Sequence, residues 1–305
     1  MKLLFELKKI FMASRFPFST ASVLSAILAV CWSWQYGKNF DFTKGCLAIL
    51  GVLLVHLTAN TLNDYFDWDG TDKINKFATP FSGGSRQSIK KLYPETDKTY
   101  FAKISLLFIT LASLVALSLI VLERPWVLFF GFIGFILGLA YSSPPFSLMT
   151  RGLGELIIFI SFGPLITAGT GYCTEGVIRL EHLLIGLPIG FLVTNILWVN
   201  QFPDYESDQK TGKLNLVVRL GKKKARWGYF LILLLSFVTT IILSILKIYP
   251  LWAPAVFLLL IPMGKQLQII IKQYDSNTNI VIAQAATIKG HAGITLALAI
   301  ICALL

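Results

Sequence analysis

The chain has 305 residues, 55% of them hydrophobic and only 14% charged, with a formal charge of +11. A soluble domain carries about 25% charged residues, so this composition excludes an ordinary water-soluble globule and points to a bilayer as the solvent. The basic excess lies in loops between apolar runs, which suits anionic lipid and argues against nucleic acid as a partner.

In chain order, a basic flank comes first. Lys2, Lys8, Lys9 and Arg15 precede the first apolar run, and the pattern reads as a flank, not as a cleavable signal peptide. Nine apolar segments follow, at 18–36, 45–66, 101–122, 126–144, 153–173, 182–202, 227–246, 250–271 and 285–305. Each is close to the roughly 20 residues that cross about 30 Å of hydrocarbon. The predicted fold is therefore all-α: one polytopic domain over residues 1–305 with about nine transmembrane helices. One side of the membrane receives the N-terminus and the loops after segments 2, 4, 6 and 8. It then collects every Lys and Arg except Lys38, Lys44, Arg124, Arg179 and Lys247. The positive-inside rule makes that side cytoplasmic, in a cell membrane expected to be bacterial or archaeal. The four cysteines, Cys31, Cys46, Cys173 and Cys302, lie in apolar segments without a paired spacing and read as inert thiols. Trp32, Trp34, Trp126, Trp252 and Tyr249 read as an interfacial belt, and His182 and His291 as residues near segment ends. Trp198 is a candidate to line a cavity.

The second and sixth segments are impure, and the impurity is patterned. Segment 2 ends in Asn63-Asp64-Tyr65-Phe66-Asp67 and segment 6 in Asn200-Gln201-Phe202-Pro203-Asp204. Both read Asn-x-x-x-Asp, followed by a further acid, Asp72 or Asp208. The motifs are four segments apart and so fall on the same side. Two similar four-helix halves would bring them face to face, an arrangement familiar from internally repeated membrane folds. Asn60, Asp64 and Asp67 share a helix face through i, i+4, i+7 spacing, flanked by His56 and Asn63. Such groups are costly against lipid and must face the bundle interior or a wet cavity. Pro203 is expected to kink the end of its helix.

Carboxylates and amide oxygens at close quarters are hard ligands that suit Mg²⁺ or Ca²⁺. The expected metal ligands are Asn63, Asp67, Asp69, Asp72, Asn200, Asp204 and Asp208, with Asp69 and Asp72 competing for one position. Lys73, Lys76 and Arg86 follow the first motif, and Lys210, Lys213 and Arg219 the second. Acids, cations and the glycine loop Ser82-Gly83-Gly84-Ser85-Arg86 together suggest a bound oligophosphate. An apolar tail among helices would complete a polyprenyl diphosphate. Ionisation of its C–O bond would give an allylic cation, which the aromatic faces of Tyr141, Tyr65 or Tyr205 would shield.

At these motifs the sequence resembles the UbiA superfamily of intramembrane prenyltransferases. The shared features are Asn63 to Asp67 with Asp72, Asp204-Tyr205-Glu206-Ser207-Asp208, and the tract from Thr211 to Gly221. Asn63-Asp64-Tyr65-Phe66-Asp67, Gly152-Leu153-Gly154-Glu155 and Phe162-Gly163-Pro164 are most similar to the 1,4-dihydroxy-2-naphthoate branch of menaquinone synthesis. The resemblance implies nine helices around a central cavity, Mg²⁺ dependence, a polyprenyl diphosphate donor and an aromatic acceptor. It assigns catalysis to Asp67, Asp204, Asp208 and Arg86. Substrate contacts would come from Asn60, Asp64, Lys73, Lys76, Tyr141, Glu155, Lys213 and Arg219. A different acceptor (4-hydroxybenzoate, a porphyrin, a glycerol phosphate lipid) and an intramembrane cation transporter are the alternatives. The sequence is silent on oligomeric state.

Overall fold

A computed structural model describes residues 2–304. An exposed helix α1 (Lys2–Ala13) leads into a short 3₁₀ turn and α2 (Thr20–Tyr36). α3 (Phe42–Asp67) ends at the first motif. Two short cap helices follow, α4 (Thr71–Ile74) and α5 (Arg86–Leu92), and then α6 (Lys98–Val121) and α7 (Val127–Ser142). α8 (Gly154–Ile160) passes through a π turn into α9 (Ile166–Glu175), and α10 (Leu180–Leu184) leads to α11 (Leu187–Lys210), which carries the second motif. α12 (Leu216–Leu220) and α13 (Lys222–Ile245) precede a largely 3₁₀ segment, Ala253–Met263. α14 (Gly264–Leu267) and α15 (Ile269–Lys272) extend it, and α16 (Asn277–Leu304) is last.

Eight of the nine expected segments are long and apolar enough to cross a membrane. The remaining one, α7, has 16 residues. It reaches about 24 Å at 1.5 Å per residue, short of a full hydrocarbon core. Side-chain caps start several helices where the sequence places an acid or amide: Asp41 Oδ1 accepts from Lys44 N at 3.0 Å and Asp97 Oδ1 from Tyr100 N at 3.2 Å.

The predicted halves are present, and the chain closes on itself: α16 packs along α2. Leu28, Ala29 and Trp32 share a buried cluster with Ile294, Leu298 and Cys302. A second cluster fills the first half (Leu57, Phe101, Phe108) and a third the second half (Phe202, Val217, Tyr229). Helix α11 and its lead-in are central, with 72% of their most apolar stretch buried against 28% for α6 and for α13, which face lipid. Close approach to α11 depends on glycine. A Cβ on Gly163 would lie 2.3 Å from the Gly186 carbonyl oxygen and 2.7 Å from Gly190 N.

Several expectations are corrected. Trp32 and Tyr249 do not join an interfacial belt; both are buried, bonded to the Ile248 and Ile185 carbonyls at 2.9 and 2.7 Å. Trp34, Trp126 and Trp252 are exposed, as a belt requires. His182 and His291 are buried within the bundle, not interfacial. Trp198 lines neither the chamber nor the apolar cavity described below; its Nε1 donates to the Ala225 carbonyl at 2.8 Å inside the third cluster. α11 stays helical through Pro203 and runs on to Lys210, so Asp204 and Asp208 are helix residues, not loop residues.

Candidate active site

The second motif is the simpler one. Asn200, Asp204 and Asp208 follow at i, i+4, i+8 on α11 and therefore stand in one row. The first motif is broken. α3 ends at Asp67, the chain turns through Trp68–Gly70, and α4 brings Asp72 back toward the row. Asn63, Asp67, Asp72, Asn200, Asp204 and Asp208 all line one cavity of about 120 Å³. The two motifs therefore meet.

Three devices hold this chamber. The loop after α4 straps across it. Asn75 Nδ2 and Ser82 Oγ donate to Asp204 Oδ1 at 2.8 and 3.2 Å, and Ser85 donates to Asp64 Oδ2 through both its N–H, at 3.1 Å, and its hydroxyl. Glycine is required here: Gly84 has φ +70°, and a Cβ on it would lie 2.0 Å from Asp72 Oδ2. The second device is Lys213, whose ammonium lies 3.4 Å from Asp67 Oδ2 and 3.9 Å from Asp208 Oδ1, bridging the two halves. Burial alone would depress Lys213, but the carboxylates of Asp67 and Asp208 outweigh it and hold its pKa above the ordinary value. The third is Arg15, in the turn after α1 with φ 50°. Its guanidinium meets Asp64 Oδ1 at 2.6 Å and Asn63 Oδ1 at 3.3 Å.

The charge balance asks for more cation than the chain supplies. Burial, then the neighbouring charges of Asp64 and Asp67, push Asp72 up to about 9. Asp72 Oδ2 and Asp208 Oδ1 are buried without a hydrogen-bond partner. Four carboxylates face one small chamber with Lys213 and Arg15. Hard oxygen donors with unused lone pairs fit a hard divalent ion such as Mg²⁺. Among the described residues no three acidic, His or Cys side chains form a ready-made chelate.

Beside the chamber lies a larger cavity of about 590 Å³, lined mainly by apolar groups of α3, α6, α7, α8 and α9. Arg15, Asn63 and Tyr141 line both spaces. From Asn63 the wall follows α3 down to Ala48, fifteen residues and about 22 Å along the helix. The site thus has a polar head and a long oily tail.

Not every expected residue reaches it. Asp69 is exposed and paired with Lys98 at 2.9 Å, and of the two contestants Asp72 lines the chamber. Lys73 and Lys76 point outward and are exposed. Arg86 lines neither cavity; its guanidinium sits 5.1 Å from the Trp68 ring centre. Arg219 lies outside, donating to the Leu214 and Arg151 carbonyls at 2.7 and 3.1 Å, which pins the loop after α11. Glu155 is buried outside the chamber. Its Oε1 accepts from Gln201 Nε2 and Leu216 N at 2.8 and 3.0 Å, so it orients α11 and α12. Asp64 is wholly buried and holds Arg15 and the strap. Asn60 lines the apolar cavity and donates to the Ser14 carbonyl at 3.0 Å. Tyr65 and Tyr205 pack in the half-cores, leaving Tyr141 as the tyrosine at the head–tail junction.

Arg15 and Asn75 were missed by sequence reasoning, and Ser82 and Ser85, expected in an anion-binding loop, instead bond the acids Asp204 and Asp64. Arg15 carried a signal, as the last cation before an apolar segment, but it is indistinguishable there from a lipid-facing flank.

Residues 22–288 match the UbiA prenyltransferase family. The chain is 27% identical over 264 residues to a 1,4-dihydroxy-2-naphthoate octaprenyltransferase of Escherichia coli K12, covering 85% of this chain and 82% of that one. It is 25% identical over 294 residues to the chloroplastic 2-carboxy-1,4-naphthoquinone phytyltransferase of Arabidopsis thaliana, covering 93% and 74%. The fold is similar to the apo structure of a UbiA homolog from Aeropyrum pernix K1, at TM-score 0.66 and 14% identity over 92% of this chain and 98% of that one. It is also similar to a UbiA homolog from Archaeoglobus fulgidus bound to DMAPP and Mg²⁺, at TM-score 0.59 and 15% identity over 96% and 99%.

Proposed function

We propose, because this chain belongs to the UbiA prenyltransferase family and is an integral membrane prenyltransferase, that it transfers a polyprenyl group from its diphosphate to 1,4-dihydroxy-2-naphthoate, a step of menaquinone synthesis. The observation that carries this reading is the junction of an acidic chamber with a long apolar cavity, joined at Arg15, Asn63 and Tyr141. A diphosphate fits the first and a polyprenyl chain the second. The names borne by the relatives from Escherichia coli, Mycobacterium leprae and Bacillus subtilis support the naphthoate acceptor. The head-group end, with α1 and the strap, faces the cytoplasm, on the distribution of basic residues.

Asn63, Asp67 and Asp72 on one side and Asn200, Asp204 and Asp208 on the other would hold Mg²⁺. When bound, Mg²⁺ supplies Lewis-acid stabilisation of the departing diphosphate. The chain's own residues do the rest. Lys213 places a fixed positive charge between the two acidic rows, where leaving-group charge accumulates. Arg15, oriented by Asp64 and Asn63, offers a second one from the opposite wall. Tyr141 presents its ring where the chamber meets the cavity and shields the allylic cation. The apolar walls exclude water, which would otherwise quench that cation. The C1–O bond breaks with its electron pair leaving on diphosphate, the acceptor's electron-rich ring carbon bonds to the prenyl C1 of the cation, and the ring regains aromaticity by losing its carboxylate as CO₂, giving the prenylated naphthoquinol.

The test is transfer of radiolabelled polyprenyl diphosphate to 1,4-dihydroxy-2-naphthoate in proteoliposomes with Mg²⁺. Prenylated naphthoquinol is the expected product, lost in Asp67→Ala and Asp204→Ala variants that still insert. Full turnover in both variants, or prenylation of a glycerol phosphate but not of the naphthoate, refutes the reading.

A further inference from the structure

The apolar cavity contains a polar rung that neither a diphosphate nor a hydrocarbon tail uses. His56 lies two turns of α3 below Asn63, 7% exposed, in the cavity wall. Its Nδ1 is 2.8 Å from Ser22 Oγ. Ser22 spends its one proton on the Ser19 carbonyl, at 3.0 Å. With the Ser22 hydroxyl turned to that carbonyl, Ser22 accepts from His56, which assigns the imidazole proton to Nδ1. Nε2 is left as a bare acceptor, with no hydrogen-bond partner among the described residues. The ring cannot turn freely, because Phe162 packs edge-on against it at 5.2 Å and 90°.

The neighbour of Phe162 completes the rung. Ser161 opens the π turn Ser161–Leu165 and lines the same cavity, and its hydroxyl is buried without a partner. A π turn inside an otherwise α-helical span is uncommon and recurs at functional sites. Two unmet polar atoms in an oily space are costly unless something polar is bound there. A polyprenyl chain has no polar atoms to offer. A hydroxyaryl acceptor does.

We propose that His56 Nε2 accepts a hydrogen bond from a ring hydroxyl of the acceptor, with Ser161 Oγ meeting a second oxygen substituent, so that this rung orients the ring below the prenyl C1. His56 is thereby the residue that distinguishes hydroxylated acceptors from their ethers. The inference rests on the prenyltransferase reading of the site and assigns the acceptor subsite within it.

The experiment compares wild type, His56→Leu, His56→Gln and Ser161→Ala in proteoliposomes. The acceptors are 1,4-dihydroxy-2-naphthoate and its two mono-O-methyl ethers, at saturating polyprenyl diphosphate. In His56→Leu the KM for the dihydroxy acceptor rises about tenfold, the scale of one buried hydrogen bond, while the KM for polyprenyl diphosphate stays within twofold. Wild type prefers the dihydroxy compound to one of the ethers, and His56→Leu loses that preference. His56→Gln, which keeps an acceptor atom, recovers part of it, and Ser161→Ala shows a smaller rise in acceptor KM. An unchanged acceptor KM and ether preference in His56→Leu overturns the inference and leaves the prenyltransferase reading standing. So does an effect confined to the KM for polyprenyl diphosphate. If wild type transfers no prenyl group to any of the three compounds, both fall. Should His56→Leu fail to insert, Ser161→Ala and His56→Gln decide by the same two readouts, an unchanged acceptor KM in both counting against the proposal.

Discussion

The two acidic motifs read almost alike in sequence and are built by different means. The second is a row on one continuous helix: Asn200, Asp204 and Asp208 need only the regularity of α11 to stand together. The first is assembled from pieces. Asn63 and Asp67 end α3, Asp72 returns on a four-residue helix, and Gly84, Ser85 and Arg15 hold the parts in place. One helix supplies its geometry from backbone hydrogen bonds. The other depends on tertiary contacts, each of which is a point of failure.

That contrast can be broken first at the acids themselves. Asp67→Ala and Asp204→Ala are each expected to lower kcat by about 10²–10³-fold, the scale of losing one electrostatic stabiliser, measured by steady-state prenyl transfer. An effect restricted to one half would show that the motifs do not act jointly. Next comes the support of the first motif. Arg15→Met leaves the wholly buried Asp64 without its 2.6 Å partner. Breaking a buried ion pair costs about 3–5 kcal/mol, so thermal unfolding in detergent should move markedly lower. Removing Lys222, which packs 5.5 Å from the Tyr205 ring and forms no close ion pair among the described residues, should lower it far less.

A smaller effect follows at the strap. Gly84→Ala adds a Cβ where Asp72 Oδ2 lies 2.0 Å away, at a φ of +70° that costs an L-residue about 1–2 kcal/mol. Activity should fall roughly tenfold, in line with that cost, through a higher Mg²⁺ requirement. Gly212→Ala, beyond the second motif at φ +75° with open space around it, should cost only its backbone strain and leave the Mg²⁺ requirement unchanged. Smallest of all, Asp69→Asn should stay within about twofold of wild type, since its pair with Lys98 is exposed and screened by solvent. A large loss there would restore Asp69 to the site in place of Asp72.

The sequence made the helical segments legible because each apolar run is bounded by charge, and spacing alone placed Asn200, Asp204 and Asp208 in one row. It left Asp69 and Asp72 unresolved because the answer depends on the turn after Asp67, where no helical period operates. The surrounding cations were misjudged for a related reason. Lys73, Lys76, Arg86 and Arg219 are near the acids in sequence, but a long side chain beside a motif can equally serve a ring, a carbonyl or water. Arg15, almost fifty residues from Asp64, reaches it only through the packing of α2 on α3. Long-range pairing of this kind leaves no periodicity to read.

The seam between α2 and α16 sets an order on biogenesis. Among the described helices of the ring, α2 leaves the ribosome before all the others and its partner α16 after all of them. Until then the face of α2 bearing Leu28, Ala29 and Trp32 has only lipid or the insertion machinery for company. A nascent chain halted before α16 would hold both acidic motifs and still be an open arc. Productive assembly is therefore decided late, when α16 turns the arc into a ring.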